Sequence, residues 1–489
     1  MSRALALAAG AAAFLIVATA NSGGYRYGIS DQAFYVPAVA HAADPSLFPR
    51  DSAILSVQTS KWLGDDVLGL LVRPASSDMP VLFAVLYAAG GLLLFASVVS
   101  VVRALGGSWW AVAGATALLT LRHRIAKTGA NSLEGYMHPR MLAFAVGLIA
   151  LGFMLKRRNV AATIAIAMAA AIHPTTALWF AGVFVLCLVS LGSRPASRAM
   201  RRALLPVLAV AGFLTVSFYG TAPVMTGAWL AVLDEKDYLF SHQWPAYAWI
   251  LNLLYPAVIV AIYLRRKSLG VLAPGERRVV GGLIALVVVF LVSVPLAAAH
   301  LIPVVQLQAN RVFWLLDAFA LLYIAWWLLD HVATGTTVRT ALVVGLALLA
   351  CGRGAFILID TGRAFVTFDL PRDDWTDAMR WLRTQPADWQ VLADPEHAPK
   401  YGTSVRVAAL RDTVLERSKD SAMAMYDSAV ALRVSDRSIA LGDFGNLTDE
   451  QFRQLGKRYD ARVLVLERAR TTQLPQLYAN NRFAIYDLR

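Results

Sequence analysis

The chain has 489 residues, 58% of them hydrophobic and only 16% charged, with a mean hydropathy of +0.55. That balance excludes an ordinary soluble protein, in which nearer a quarter of residues are charged, and two cysteines exclude a disulfide framework or a CxxC metal pattern. The formal charge of +13 does not point to nucleic acid, because the basic residues cluster in short loops between apolar runs, as the positive-inside rule requires.

Taken in chain order, apolar segments cover 4–20, 80–102, 109–121, 140–155, 160–173, 175–191, 203–219, 246–264, 279–299, 312–330 and 339–357. These predict a polytopic α-helical membrane protein with about ten or eleven transmembrane helices. The segments 109–121 and 160–173 are short for a span that needs about 20 residues. Ala18-Thr19-Ala20 is compatible with a signal-peptide cleavage site, but 4–20 reads better as a retained first helix. His173-Pro174 divides two segments that form either a tight hairpin or one broken helix. Cys187 and Cys351 both fall inside apolar segments and read as inert thiols.

Arg103, Lys156-Arg157-Arg158, Arg194, Arg198, Arg201, Arg202, Arg265-Arg266-Lys267, Arg277, Arg278 and Arg339 all fall on one side, which the rule makes cytoplasmic. Most acids lie opposite: Asp31, Asp44, Asp51, Asp65, Asp66, Asp78, Glu134, Asp234, Glu235 and Asp237. The expected layout is therefore a transmembrane domain, 1–358, with a large first external loop, 21–79, and an exported α/β domain, 359–489. Further external loops are 122–139 and 220–245. In the first loop, Gln32–Ala42 and Ser52–Leu71 mix apolar and polar residues at helical spacing, which predicts short helices in the membrane interface.

The last 130 or so residues alternate helical and strand patterns. Asp373-Asp374-Trp375 opens an amphipathic helix through Leu382, and Thr448–Tyr459 is a second, capped by Asn446 or Thr448. Strands are predicted at Trp389–Ala393, Val405–Leu410, Val463–Leu466 and Phe483–Tyr486. No glycine-rich phosphate loop and no metal-ligand spacing stands out.

Ionisable residues at membrane depth are expensive and so need a reason. Asp31, beside Tyr35 and an apolar helix, is a candidate general base with a raised pKa. The competing reading is a helix cap, since Ser30 or Asp31 precedes the helix that begins at Gln32. Arg122, His123, Arg124 and Lys127, followed by His138 and Arg140, form a basic cluster on the face opposite to the positive-inside trend. Guanidinium groups there suit a phosphate or pyrophosphate, whose oxygens they bind as a fork; the alternative is pairing with Glu134 or with lipid headgroups. His173 either faces a polar cavity or is a satisfied structural histidine. Arg311, in Gln306, Gln308, Asn310 and Arg311, either reaches a lipid phosphate or snorkels at the interface. Asp65-Asp66 and Asp234-Glu235-Lys236-Asp237 read as solvated loop charge, although paired carboxylates leave a divalent cation open as a cofactor.

Tyr27-Gly28-Ile29-Ser30-Asp31-Gln32-Ala33-Phe34-Tyr35 resembles the acidic first-loop motif of the GT-C superfamily of membrane glycosyltransferases. Pro45-Ser46-Leu47-Phe48-Pro49-Arg50-Asp51 and His173-Pro174-Thr175-Thr176 look like segments of its poorly characterised bacterial members, as does the stretch from Trp375-Thr376-Asp377-Ala378-Met379-Arg380-Trp381-Leu382 to Ser404-Val405-Arg406. The resemblance implies a multi-pass protein of the bacterial inner membrane. It would move a sugar from a polyprenyl-phosphate donor to a glycan, lipid or protein acceptor outside the cytoplasm. It makes Asp31 the base and implies substrate contacts for Tyr35, Arg122, His123, Arg124, Lys127, His138, Arg140, His173 and Arg311. Where many members carry paired acids, this chain has Asp31 alone between Ser30 and Gln32, which bears against a metal requirement. Two other classes compete: a transporter or flippase for a lipid or anionic solute, and a non-catalytic envelope assembly protein.

Overall fold

The computed structural model describes residues 2–59, 64–72, 78–189 and 224–489. The expected apolar segment 203–219 and the basic residues Arg194, Arg198, Arg201 and Arg202 lie outside these. In chain order the first helices are α1 (Arg3–Asn21), α2 (Gln32–Ala43), α3 (Ser52–Thr59), α4 (Gly64–Gly69), α5 (Asp78–Ala104), α6 (Trp109–Thr120), α7 (Pro139–Leu155), α8 (Asn159–Ile172) and α9 (Pro174–Val189). Apolar helices follow at Ala246–Ser268, Glu276–Ala298, Val312–Trp326 and Thr336–Asp360.

Among the described residues, six helices are long and apolar enough to cross a membrane, and α6, α7, α8 and α9 are shorter apolar helices. The protein is a multi-pass α-helical membrane protein with a small sheet near its C-terminus. At 1.5 Å per residue the 12-residue α6 rises only about 18 Å, against a hydrocarbon core of about 30 Å. The chain breaks at His173, and α8 and α9 pack on each other and on α7. Gly147 allows that packing: a Cβ there would lie 2.2 Å from the Phe180 ring of α9. Phe144 of α7 stacks on Trp314 at 3.9 Å between ring centroids, tying α7 to Val312–Trp326.

Two contacts gather the basic loops on one face. The buried Arg266 guanidinium binds Glu276 (2.5 Å) and the Leu105 carbonyl (2.7 Å), and the Gly275 N–H donates to the Leu155 carbonyl (2.7 Å). The opposite face carries the first loop, the short hairpin Arg124–Ile125/Ala130–Asn131 and the C-terminal domain.

That domain is built on a four-stranded sheet in the order Val391–Leu392, Val463–Glu467, Phe483–Asp487, Gln476–Ala479. The first pair is parallel and the others are antiparallel. The helix Asp374–Arg383 has a capping box between Asp373 and Thr376 and buries Trp375, Ala378, Met379 and Leu382, spaced on one helical face. Thr448, not Asn446, caps Asp449–Tyr459, again in a capping box, with Gln451.

Two expectations are corrected. Val405–Leu410 is not a strand: Val405–Ala408 is a helical turn, opened by Ser404, whose Oγ accepts the Arg406 N–H at 3.1 Å. The buried Arg406 guanidinium is drawn to interior acids, and that pull overrides a β-branched local sequence. In addition, α2 does not lie in the membrane interface. Its residues from Gln32 to Ala40 are all buried, because α3, α4 and the turn Val405–Ala408 pack around it.

The C-terminal domain is bonded to the first loop. Val366–Thr367 pairs in parallel with Tyr25–Arg26. The fully buried Asp51 carboxylate accepts from Arg406 Nε (2.8 Å), the Thr413 N–H (3.0 Å) and Arg433. Arg406 turns its other edge to Asp420 (2.6 and 3.1 Å), the residue after Lys419.

Candidate active site

The turn before α2 presents Asp31. Gly28 and Ser30 both take positive φ (79° and 51°), so the chain doubles back, and Gln32 locks it there. The Gln32 Oε1 accepts the Gly28 N–H (2.6 Å) and its Nε2 donates to the Met137 carbonyl (3.2 Å). Asp31 occupies the cap position of α2, but its side chain makes no capping hydrogen bond. Its carboxylate instead faces a cavity of about 260 Å³ on the same side as the C-terminal domain.

Among the described residues Asp31 has three polar partners there. His138 Nε2 lies at 3.2 Å, Lys419 Nζ at 2.8 Å and the Tyr136 hydroxyl at 3.4 Å. His138 is the N-cap of α7, where its Nδ1 accepts the Arg140 N–H (3.2 Å), so Nε2 carries the proton and donates to Asp31. Burial, reinforced by the Arg140 charge, pushes the His138 pKa down to about 3, which keeps the ring neutral. For Asp31 itself, burial pushes the carboxyl up. The opposing effects of Lys419, the His138 hydrogen bond and Arg140 outweigh burial and hold it well below the usual carboxylate range. The expected raised pKa is therefore corrected: the carboxylate is ionised and salt-bridged, and its basicity is low while Lys419 stays in place.

Several other sequence candidates share the cavity. Tyr35, His138, Arg140, His173 and Arg311 all line it. The His138 ring lies 5.2 Å from that of Tyr35 and 6.2 Å from that of His173. His173 Nδ1 accepts from the Thr176 N–H (3.3 Å), leaving Nε2 as its donor. Arg140 is neutralised by the buried Glu134. Arg311 makes no salt bridge among the described residues, and the Asp31 charge acts on it only from a distance.

The rest of the basic cluster goes elsewhere. Arg122 binds the Leu133 carbonyl (2.9 Å) and approaches Glu134 (3.8 Å); His123 bonds to Asp317 (3.1 Å); Lys127 pairs with Asp237; Arg124 is exposed. None of the four lines the cavity. Asp65 is buried with neither oxygen hydrogen-bonded among the described residues, and burial, with Asp66 beside it, raises its pKa to about 8. No three His, Cys, Asp or Glu side chains converge among the described residues.

Of the charged residues that line the cavity, Lys236 and Lys419 were not singled out by sequence as site residues. Lys236 donates to the Ser418 carbonyl (3.1 Å) and makes no salt bridge among the described residues, with Glu235 and Glu396 acting on it only from a distance. Lys419 comes from the helix Arg417–Met423 of the C-terminal domain, 388 residues from Asp31. In a charged surface segment nothing local marks either lysine. The charge balance of the cavity is then simple. Asp31 offsets Lys419 and Glu134 offsets Arg140, so Arg311 and Lys236 are left as excess positive charge. A buried polar cavity of that kind favours an anion.

No family model matches the sequence, and no curated protein does. Among solved structures the chain is similar to the cryo-EM structure titled as arabinofuranosyltransferase AftD from Mycobacteria, with 15% identity and a TM-score of 0.43. The match covers 100% of this chain and 40% of that one, so this chain spans less than half the length of that protein.

Proposed function

We propose that this protein is a membrane glycosyltransferase of the GT-C type that moves a sugar from a polyprenyl-phosphate donor to an acceptor hydroxyl, with Asp31 as the general base. The observation that carries this reading is the cavity itself. One ionised carboxylate stands in it with two cations, Arg311 and Lys236, that make no salt bridge among the described residues. His138 also lines a small, mainly apolar crevice of about 40 Å³ between α1, α5 and α7, with Phe14, Leu86 and Leu94. The cavity suits the phosphate head of a lipid-linked donor.

In the proposed step the Asp31 carboxylate accepts the proton of the acceptor hydroxyl as its oxygen bonds to the anomeric carbon. The bond from that carbon to the phosphate oxygen breaks, and its electron pair leaves with the lipid phosphate. Arg311, Lys236 and the Nε2–H of His173 receive the growing negative charge. Direct displacement inverts the anomeric centre. Lys419 exchanges Asp31 for the phosphate as the donor enters, which restores basicity to Asp31 when it is needed. Positive-inside loops support a cytoplasmic basic face. The cavity and the α/β domain (359–489) are then extracytoplasmic, on a bacterial inner membrane.

The test is Asp31→Asn in membranes supplied with polyprenyl-phosphate sugars. Transfer is expected to fall about 10²–10⁴-fold, as for loss of a general base, with donor binding retained. Transfer at the wild-type rate would refute the role of Asp31.

A further inference from the structure

A second, separate cavity lies within the membrane domain. α1, α6 and the helix Thr336–Asp360 pack on one another and leave an apolar slot of about 610 Å³ along their seam. Leu7, Gly10, Val17, Val112, Thr116 and Val343 line it along most of the length of α1. A dry apolar cavity of about 150 Å³ is enough to take up benzene, so this space is several times larger than one small hydrocarbon needs. Gly10, Ala113 and Ala347 line the slot, and their small side chains leave the space between helices that otherwise touch.

One end of the slot is cationic. The guanidiniums of Arg3 and Arg103 lie over the ring of Trp109, 5.0 and 5.1 Å from its centroid. Neither has an acidic partner among the described residues, and Arg103 donates to the Gly107 carbonyl. A nearby acid, Asp330, is held by the Ser108 N–H (2.8 Å) and hydroxyl. Everything beyond this end is apolar or weakly polar.

We propose that the slot is a binding site for an anionic phospholipid, with one acyl chain between the three helices and the phosphate on Arg3 and Arg103. Charge complementarity selects the headgroup: two unpaired guanidiniums at the mouth bind a phosphate as forks, and a zwitterionic lipid offers less net attraction. The occupant is not the transfer donor. Arg3 opens α1, and Asp31 lies beyond its far end, so the 19 residues of α1 separate the two by about 28 Å.

The test uses full-length protein in neutral detergent, with dipalmitoyl phosphatidylglycerol or phosphatidylcholine added and retained lipid counted by native mass spectrometry. Phosphatidylglycerol is expected to be held at least tenfold more tightly. The double variant Arg3→Ala/Arg103→Ala should lose that preference, and Arg3→Lys/Arg103→Lys should keep most of it. Ala113→Trp, or Ala347→Phe if that variant does not fold, should reduce retention of both lipids. Equal retention of the two lipids by the wild type, or an unchanged preference in the double alanine variant, would overturn the proposal. So would displacement of phosphatidylglycerol by equimolar polyprenyl phosphate.

Discussion

Replacing Asp51 with alanine should loosen the C-terminal domain from the first loop without unfolding the membrane helices. Asp51 is fully buried and bonds to two guanidiniums and one N–H, and its own N–H donates to Asp412 (2.9 Å). Removing one partner of a buried ion pair costs about 3–5 kcal/mol. Here the stranded cations keep some compensation. Arg406 retains Asp420, and Arg433 retains the Arg50 carbonyl (2.7 Å). The lower end, about 3 kcal/mol, therefore applies, which is roughly 100-fold in the open population. Hydrogen exchange reads that population directly. Amides in 404–423 should exchange roughly 100-fold faster in Asp51→Ala, while amides in α5 and α7 keep their wild-type rates. The pH dependence has a definite sign. Burial pushes the Asp51 carboxyl up, but Arg406 and Arg433 outweigh it and lower its pKa on folding. Its contribution is thus present above the ordinary carboxylate value of about 3.9 and is lost as pH falls. Exchange in 404–423 within twofold of wild type would refute the reasoning, as would an equal rise across the membrane helices.

Three further outcomes are expected. Lys419→Met removes the charge that holds Asp31 low in the free enzyme, so the acid limb of the kcat/KM profile should move to higher pH; an unmoved limb would separate Lys419 from Asp31 function. Arg311→Ala should reduce kcat/KM about 10–100-fold, the loss of a charge-assisted hydrogen bond of about 1.5–3 kcal/mol; unchanged kinetics with the lipid-linked donor would exclude Arg311 from the phosphate site. Glu416 has a pKa raised to about 7 by burial, with Asp420 adding to the rise and Arg406 opposing it. Its stabilising contribution is full below the unfolded value of about 4.3 and disappears as pH rises through about 7. Exchange in 404–423, corrected for the intrinsic base-catalysed rate, should therefore quicken between about pH 4.3 and pH 7, and Glu416→Gln should flatten that response; a wild-type profile in the variant would contradict it.

The membrane segments were legible because their signal is local. A run of apolar residues is a property of consecutive positions, and ten of the expected segments are helices with ends within a few residues of those read. Capping boxes are equally local, which is why Asp373 and Thr448 announced two helices of the C-terminal domain. Val405–Leu410 misled for the converse reason. Its conformation is set by acids that meet Arg406 from the first loop and from the helix Arg417–Met423, not by its own β-branched residues.

The candidate site divides along the same line. Asp31, His138, Arg140, His173 and Arg311 drew notice because a charge or an imidazole beside an apolar stretch is conspicuous, and they do share one cavity. Arg122, His123, Arg124 and Lys127 drew notice by adjacency, but neighbours in sequence point to different partners, and the hairpin sends them away from Asp31. Sequence alone determined that the chain lies in a membrane and which residues would be expensive there. Only the tertiary structure decided that Asp31 is salt-bridged and weakly basic, because that depends on Lys419. The charge that controls the carboxylate comes from the far end of the chain, and no local pattern records a contact between residues 388 positions apart.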